Sequence, residues 1–316
     1  MLSTRARSLS PNDTLAPQDQ VRVREFYRLA ATIQDQVWPG WSQVPAPLLL
    51  ITSEHEYLLH FPNPPNGFAR GGDEVFVRAR QFPPSLQATF PAFGPPSVIV
   101  VGTPETTASG SSTPWLIMLM HEHFHQLQDN QPDLLQKIDE LGLSHGDSSG
   151  MWMLNYPFPY EMPVVADNFA KLRDLLLTAL NEQDETEFQR LAAQYVQQRK
   201  AFVTQISEDH RKYIGLQLWK EGIARYIEVR CAEAAERYQP TAEFAALADF
   251  KGFDVNGQGA RRATLDELRR IKLAEWKRTS FYAFGAAEGF FLDRYKPAWK
   301  KAYFEHPLSM DVFFQE

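Results

Sequence analysis

Residues 115–130 read WLIMLMHEHFHQLQDN, with His121, His123 and His125 at alternate positions around Glu122. Two chemistries compete for that spacing. On a strand, side chains alternate between faces, so all three imidazoles would line one face as a three-histidine metal cluster. On a helix, His121 and His125 are neighbours one turn apart and His123 points elsewhere. The helical reading is H-E-x-x-H, two metal-binding histidines with a glutamate beside them. The surrounding residues favour it. Thr113 reads as a cap residue and Pro114 as the first helical residue. Leu, Met and Gln dominate 116–128, and these form helices rather than strands. The expectation is a helix over about 114–129 in which His121 and His125 reach one ion. Glu122 would act on the activated water without being a ligand, and His123 would be a surface or packing residue.

A zinc site of this kind needs a third protein ligand and an open fourth position. A third histidine six residues after His125 is excluded, because that position is Gln131, and Gln128 stands where the accompanying glycine would be. His145 and His210 are possible donors, each without a motif around it. The single cysteine, Cys231, excludes both an internal disulfide and a multi-cysteine zinc cluster. Glu221 lies in LQLWKEGIARYIEVR (216–230), on a predicted helix and directly before Gly222. Glycine inside a helix is about 1 kcal/mol less favourable than alanine, so it asks for a packing reason. Close packing against the histidine helix is the reason expected, with Trp219, Ile223, Ala224, Ile227 and Cys231 as apolar contacts. The competing reading of Glu221 is a solvated side chain on an amphipathic helix.

HEHFH followed by WKEGIARYIE resembles the gluzincin metallopeptidases. The pattern is most similar to that of the zinc aminopeptidases, whose second motif runs approximately W-x-x-E-G-x-x-x-Y-x-E. The resemblance implies a zincin-like fold and zinc held by His121, His125 and Glu221, with Glu122 as general base. Tyr226 and Glu228 also match. A later tyrosine in Y-x-x-G stabilises the transition state in the family. Here SFYAFGAAEGFFLD places Tyr282 three residues before Gly285 and 61 after Glu221, which implies that role for it. The chain departs from the family pattern in three ways. Trp219 stands two residues before Glu221, one fewer than in the motif. Between His125 and Glu221 lie 95 residues, far more than in the family, which read as an inserted helical pair over about 131–208. The G-x-M-E-N segment is missing, and PSVIVVGTP (96–104) takes its place with no acidic residue.

The elements that must position these residues are legible in outline. The chain has 316 residues, 44% of them hydrophobic, enough for a substantial core. Residues 1–16 read as a flexible tail with no apolar stretch, so the chain as given carries no signal peptide, and a cytoplasmic location is the default expectation. A helix is expected over about 17–38. Between 39 and 105, prolines and glycines separate short β-type runs: LLLIT, EYLLHF, EVFVRARQF and PSVIVVG. Helices are expected near 132–142, 161–182, 185–208, 210–237, 263–277, 280–295 and 309–315. The aromatic stretch 143–163 reads as a long functional loop. The class is α+β: a helix and a small, mostly antiparallel sheet over 17–112, then a largely helical catalytic part over 113–316.

Net charge is −7 with no basic tract, so no nucleic-acid partner is expected. No apolar run approaches the roughly 20 residues of a membrane span. The expected activity is zinc-dependent hydrolysis of peptide bonds, with a peptide or protein substrate laid along an edge strand near 97–102. Glu228, two turns from Glu221, would either accept a zinc histidine's second N–H or pair with Arg225. Two other readings stand beside this one. In the first, a metal-bearing binding protein keeps the fold without hydrolysis. In the second, a metal-independent helical interaction protein carries the motifs by accident. The sequence sets neither the oligomeric state nor the choice between endo- and exopeptidase.

Overall fold

LLLI and VIVVG carry almost nothing polar, a composition that suits strands covered on both faces. These runs, Leu48–Ile51 (β1) and Val98–Gly102 (β6), pair in parallel at the centre of a six-stranded sheet. The structure is a computed structural model describing residues 14–63, 65–72 and 75–315. Residues 1–13 of the expected tail lie outside the described residues. The other strands are His55–Leu59 (β2), Ala69–Gly72 (β3), Val75–Ala79 (β4) and Gln87–Phe90 (β5). The order is β3-β4-β2-β1-β6-β5, and every pairing except β1–β6 is antiparallel.

The edge of this sheet is not where the sequence pointed. The strand at 98–102 lies between β1 and β5, and β5 is the edge. Its residues, QATF, form no apolar run, so the sequence ended the sheet one strand too early. β3, with the sequence ARGG, was missed for the same reason.

The helices are Pro17–Val37 (α1), Ser112–Asp129 (α2), Leu134–Glu140 (α3), Trp152–Asn155 (α4), Pro163–Asn181 (α5), Glu185–Thr204 (α6), Glu208–Gln217 (α7), Ile223–Ala234 (α8), Ala242–Ala245 (α9), Phe253–Arg270 (α10), Leu273–Trp276 (α11), Ser280–Tyr295 (α12) and Trp299–Ala302 (α13). The class is α+β, a mixed sheet with a mostly helical remainder. No helix among the described residues is long and apolar enough to cross a membrane. The helix expected at 263–277 begins ten residues earlier, because VNGQGARRA carries two glycines and little apolar periodicity. The expected helix at 309–315 is a single 3₁₀ turn, Asp311–Phe314.

Two compact units make up the chain: Met1–Asn130 with Cys231–Gln258, and Gln131–Arg230 with Gly259–Glu316. In the first, one face of the sheet is closed by phenylalanines. Phe61, Phe68, Phe82, Phe90 and Phe93 pack on a buried cluster of Leu49, Ile51, Leu58, Phe76, Val98 and Val100. Alternate positions Leu48, Leu50, Ile99 and Val101 are buried as well, and α2 lies against β5 and β6. Thr89 of β5 is paired with Ile99, so it shares the face that α2 covers. Helix α2 starts at Ser112, one residue before the expected cap. The Thr113 hydroxyl donates to the carbonyl of Lys251 instead of capping. Pro114 still falls in the first turn, where its missing N–H has no helical partner to lose. Buried Arg22 fastens the start of α2: it pairs with Asp19, Glu105 and Asp249, and its Nε donates to Ser112 Oγ at 2.8 Å.

In the second unit α5 and α6 pack side by side, and buried Arg199 of α6 pairs with Glu288 of α12 at 2.6 Å. The helix expected over 210–237 runs from 208 to 234, interrupted by a π-turn at Leu218–Gly222. Gly222 has a packing reason, though the partner differs from the expected histidine helix. A β-carbon on Gly222 would lie 2.7 Å from Cα of Gly285 in α12, and one on Gly285 would lie 2.5 Å from Cα of Gly222. Two backbones therefore meet where neither residue has a side chain. Gly222→Ala should destabilise the protein by about 1–3 kcal/mol, since overpacking forces backbone shifts. Urea denaturation measures this. An unchanged midpoint would show that the helices have room there.

Candidate metal centre

Helix α2 is buried over almost its whole length, with an apolar first half and a polar second half. Its polar side chains must therefore find partners inside the protein. His121, Glu122 and His125 are 4–5% exposed, and the His121 and His125 rings are 4.9 Å apart. His125 Nδ1 lies 2.7 Å from Gln128 Oε1. An amide oxygen only accepts, so Nδ1 carries the hydrogen and Nε2 keeps the lone pair a metal needs. Gln128 is one turn on along the same face and fully buried.

Glu122 has its own supports on the edge strand. Thr89 Oγ1 lies 2.8 Å from Glu122 Oε2 and 3.0 Å from its backbone carbonyl, and Gln87 Nε2 donates to Oε1 at 3.4 Å. His123, the third histidine of the run, is a core residue. Its Nδ1 hydrogen-bonds Gln126 Oε1 at 2.9 Å, and its ring packs on Trp41. Burial holds its pKa down at about 4, so it is a neutral packing group near pH 7.

Glu221 sits in the π-turn, a wide turn found often at functional sites. Its side chain is 17% exposed and lies 3.7 Å from Arg278 Nη1. The same guanidinium nitrogen donates to the Tyr282 hydroxyl at 2.9 Å. Burial first, then the negative charge of Glu221 beside it, raise the Tyr282 pKa. The phenol therefore stays protonated and keeps a hydrogen to donate. The Gly222–Gly285 contact brings these helices together next to both residues.

One ring nitrogen of His121, one of His125 and a carboxylate oxygen of Glu221 all lie within 4.8 Å of one another. Among the described residues this is the one group of three or more His, Cys, Asp or Glu side chains so placed. Two imidazoles and a carboxylate, largely buried, match the His₂Glu donor set of catalytic zinc sites. His210 is placed elsewhere, its Nδ1 3.1 Å from the Tyr156 hydroxyl in a ring cluster with Phe158. Glu228 pairs with Arg225 at 2.9 Å.

Sequence reasoning missed Gln128, Thr89, Gln87 and Arg278. A signal existed for Gln128, three residues after a candidate ligand on one helix face. None existed for Thr89 and Gln87, which reach Glu122 only through sheet pairing. No family model, no curated protein and no solved structure matches the chain.

If the group holds a metal, Gln128→Leu should weaken its binding by about 10–100-fold, as loss of a group that orients a ligand does. Zinc titration against a competing chelator reads it, with circular dichroism to verify the fold. Parent affinity would show that Gln128 does not set the His125 ring.

Proposed function

We propose that the chain is a zinc-dependent hydrolase that cleaves peptide bonds, a zincin-like protein of the gluzincin type. The observation that carries this reading is the placement of His121, His125 and Glu221 within ligand distance, although 95 residues separate Glu221 from His125. A chance H-E-x-x-H gives no reason for a distant carboxylate to meet it.

His121, His125 and Glu221 would hold a zinc ion, which when bound would supply a Lewis acid for the scissile carbonyl and lower the pKa of a water toward neutral. Glu122, beside the two histidines, would take a proton from the attacking water and later pass it to the leaving amine. Thr89 and Gln87 orient the Glu122 carboxylate for this transfer. Tyr282, kept protonated, donates to the carbonyl oxygen as it gains charge, and Arg278 holds the phenol in place. The exposed edge of β5, adjacent to Glu122 through Thr89 and Gln87, offers backbone groups to an extended peptide. This replaces the strand at 97–102 as the substrate edge. A binding protein without hydrolysis has no use for a base held by two donors, so the arrangement around Glu122 supports catalysis.

Protein purified without a histidine tag should carry about one zinc ion per chain, read by elemental analysis. Below about a tenth of an equivalent after zinc is added back, the reading fails. Glu122→Gln should keep the metal and lose roughly 10²-fold or more in peptide cleavage. Loss of the metal, or cleavage at the parent rate, would remove Glu122 from its role.

Glu221→Ala should bind zinc far more weakly than the parent, and more weakly than Glu228→Ala on the same helix. It should also lose the thermal stabilisation that zinc gives by binding the folded state alone. Parent-like binding by Glu221→Ala would hand the third position to another donor, with His145→Ala and His210→Ala as the variants to examine.

A further inference from the structure

The segment 154–162 reads LNYPFPYEM, with prolines at 157 and 159 that fix the backbone between aromatic residues. Tyr156 stacks on Tyr213 at 4.3 Å, and Phe158 meets Phe281 edge-on at 5.6 Å, so the segment is anchored by ring packing. Between it and Lys277–Arg278 lies an open cavity of about 470 Å³, a size suited to a ligand. Its lining mixes charged and polar groups with apolar side chains. Of the six large hydrophobic side chains exposed among the described residues, Met151, Leu154, Met162 and Val164 fall in or beside this segment. Leu154 and Met162 line the cavity itself, so it offers apolar surface beside its charged groups.

Arg278 is the residue this cavity shares with the metal centre. Only its Nη1 is engaged, by the Tyr282 hydroxyl at 2.9 Å, Gln217 Oε1 at 3.5 Å and Glu221 Oε1 at 3.7 Å. Nε and Nη2 have no hydrogen-bond partner among the described residues, and neither is sealed from solvent. Those two nitrogens form the side-on fork of the guanidinium, which matches the two oxygens of a carboxylate. Lys277 is the other cation at the cavity, and Glu161 lies 3.4 Å from its ammonium, so that pair neutralises itself.

We propose that this cavity is a substrate subsite for a carboxylate-bearing residue of the peptide. The carboxylate sits on Nε and Nη2 of Arg278, and the apolar part of the residue lies against the exposed Leu154 and Met162 side chains of the lining. The same guanidinium holds the Tyr282 hydroxyl, so the anchored carboxylate and the phenol share one positioning group. The identity of the ligand as substrate rests on the peptidase reading. The binding itself does not.

The experiment is a binding titration on full-length protein carrying Glu122→Gln, so that peptides persist. Two probe pairs are compared: acetyl-phenylalanyl-phenylalanine as free acid and as amide, and acetyl-phenylalanyl-glutamic acid amide against its glutamine counterpart. At least one acid should bind about tenfold to a hundredfold more tightly than its neutral partner, the range of a charged hydrogen-bonded pair. The pair that shows the preference identifies a terminal or a side-chain carboxylate. The preference should vanish when Arg278→Met is added and fall several-fold with Arg278→Lys, which keeps the charge without the fork. Arg278→Lys carries the test if Arg278→Met does not fold. Equal binding of acids and amides, or a preference that survives in Arg278→Met, overturns the proposal. So does a preference lost in Lys277→Gln, which would place the carboxylate on that ammonium. A protein without zinc or cleavage that keeps the Arg278-dependent preference retains the subsite and loses the peptidase reading. One that cleaves without the preference loses only the subsite.

Discussion

Two helices can cross with their backbones in contact only where neither carries a side chain. Gly222 and Gly285 supply that pair, and each would drive a β-carbon into the other's Cα. Glu221 is next to the first glycine, and Tyr282 is one turn before the second. The contact therefore fixes the separation of the carboxylate and the phenol. Gly289, one turn further along α12, continues the seam by lying flat against the Tyr226 ring. The π-turn at Leu218–Gly222 belongs to the same device, since the wide turn interrupts the regular helix at Glu221. The chemistry on this side of the site follows from a steric constraint on the backbone.

On helix α2 the constraint is burial. A helix surrounded by protein leaves every polar side chain in need of a partner, because an unpaired buried group costs on the order of 1–3 kcal/mol. The glutamines answer this. Gln126 donates from Nε2 to the carbonyls of Pro47 and Ser97 and accepts from His123 with its oxygen. Gln128 takes the hydrogen of His125. Burial keeps His123 neutral inside the core against the pull of Gln126, and Gln128 leaves the His125 hydrogen on Nδ1. Residues two apart in sequence, of the same type, take different roles because the helix turns them toward different surroundings.

Arg278 shows how one group serves two neighbours. Its Nη1 is committed to the phenol and faces the Glu221 carboxylate, and the same residue lines the cavity beside 154–162. A lysine there would present a point charge and divide less readily, whereas the planar guanidinium has separate edges.

The local periodicities in the sequence determined much of this protein. Leucine- and methionine-rich 116–128 had to be a helix, and that alone made His121 and His125 neighbours and turned His123 away. Apolar runs gave four strands, and periodic spacing gave the helices at 17–37 and 280–295. These signals are readable because they depend on residues a few positions apart. The tertiary structure decided what depends on distant partners. QATF became the edge strand, and hence the support of Glu122, only by pairing with β6. Gly222 was legible as a close approach, but its partner, 63 positions on, was not. Nothing around Arg278 in the sequence sets it apart from other basic residues. Its role appears when helix packing brings it to Glu221, Tyr282 and the aromatic cavity. Short-range spacing encodes which residues share a face, whereas the meeting of two faces is a property of the whole packed chain.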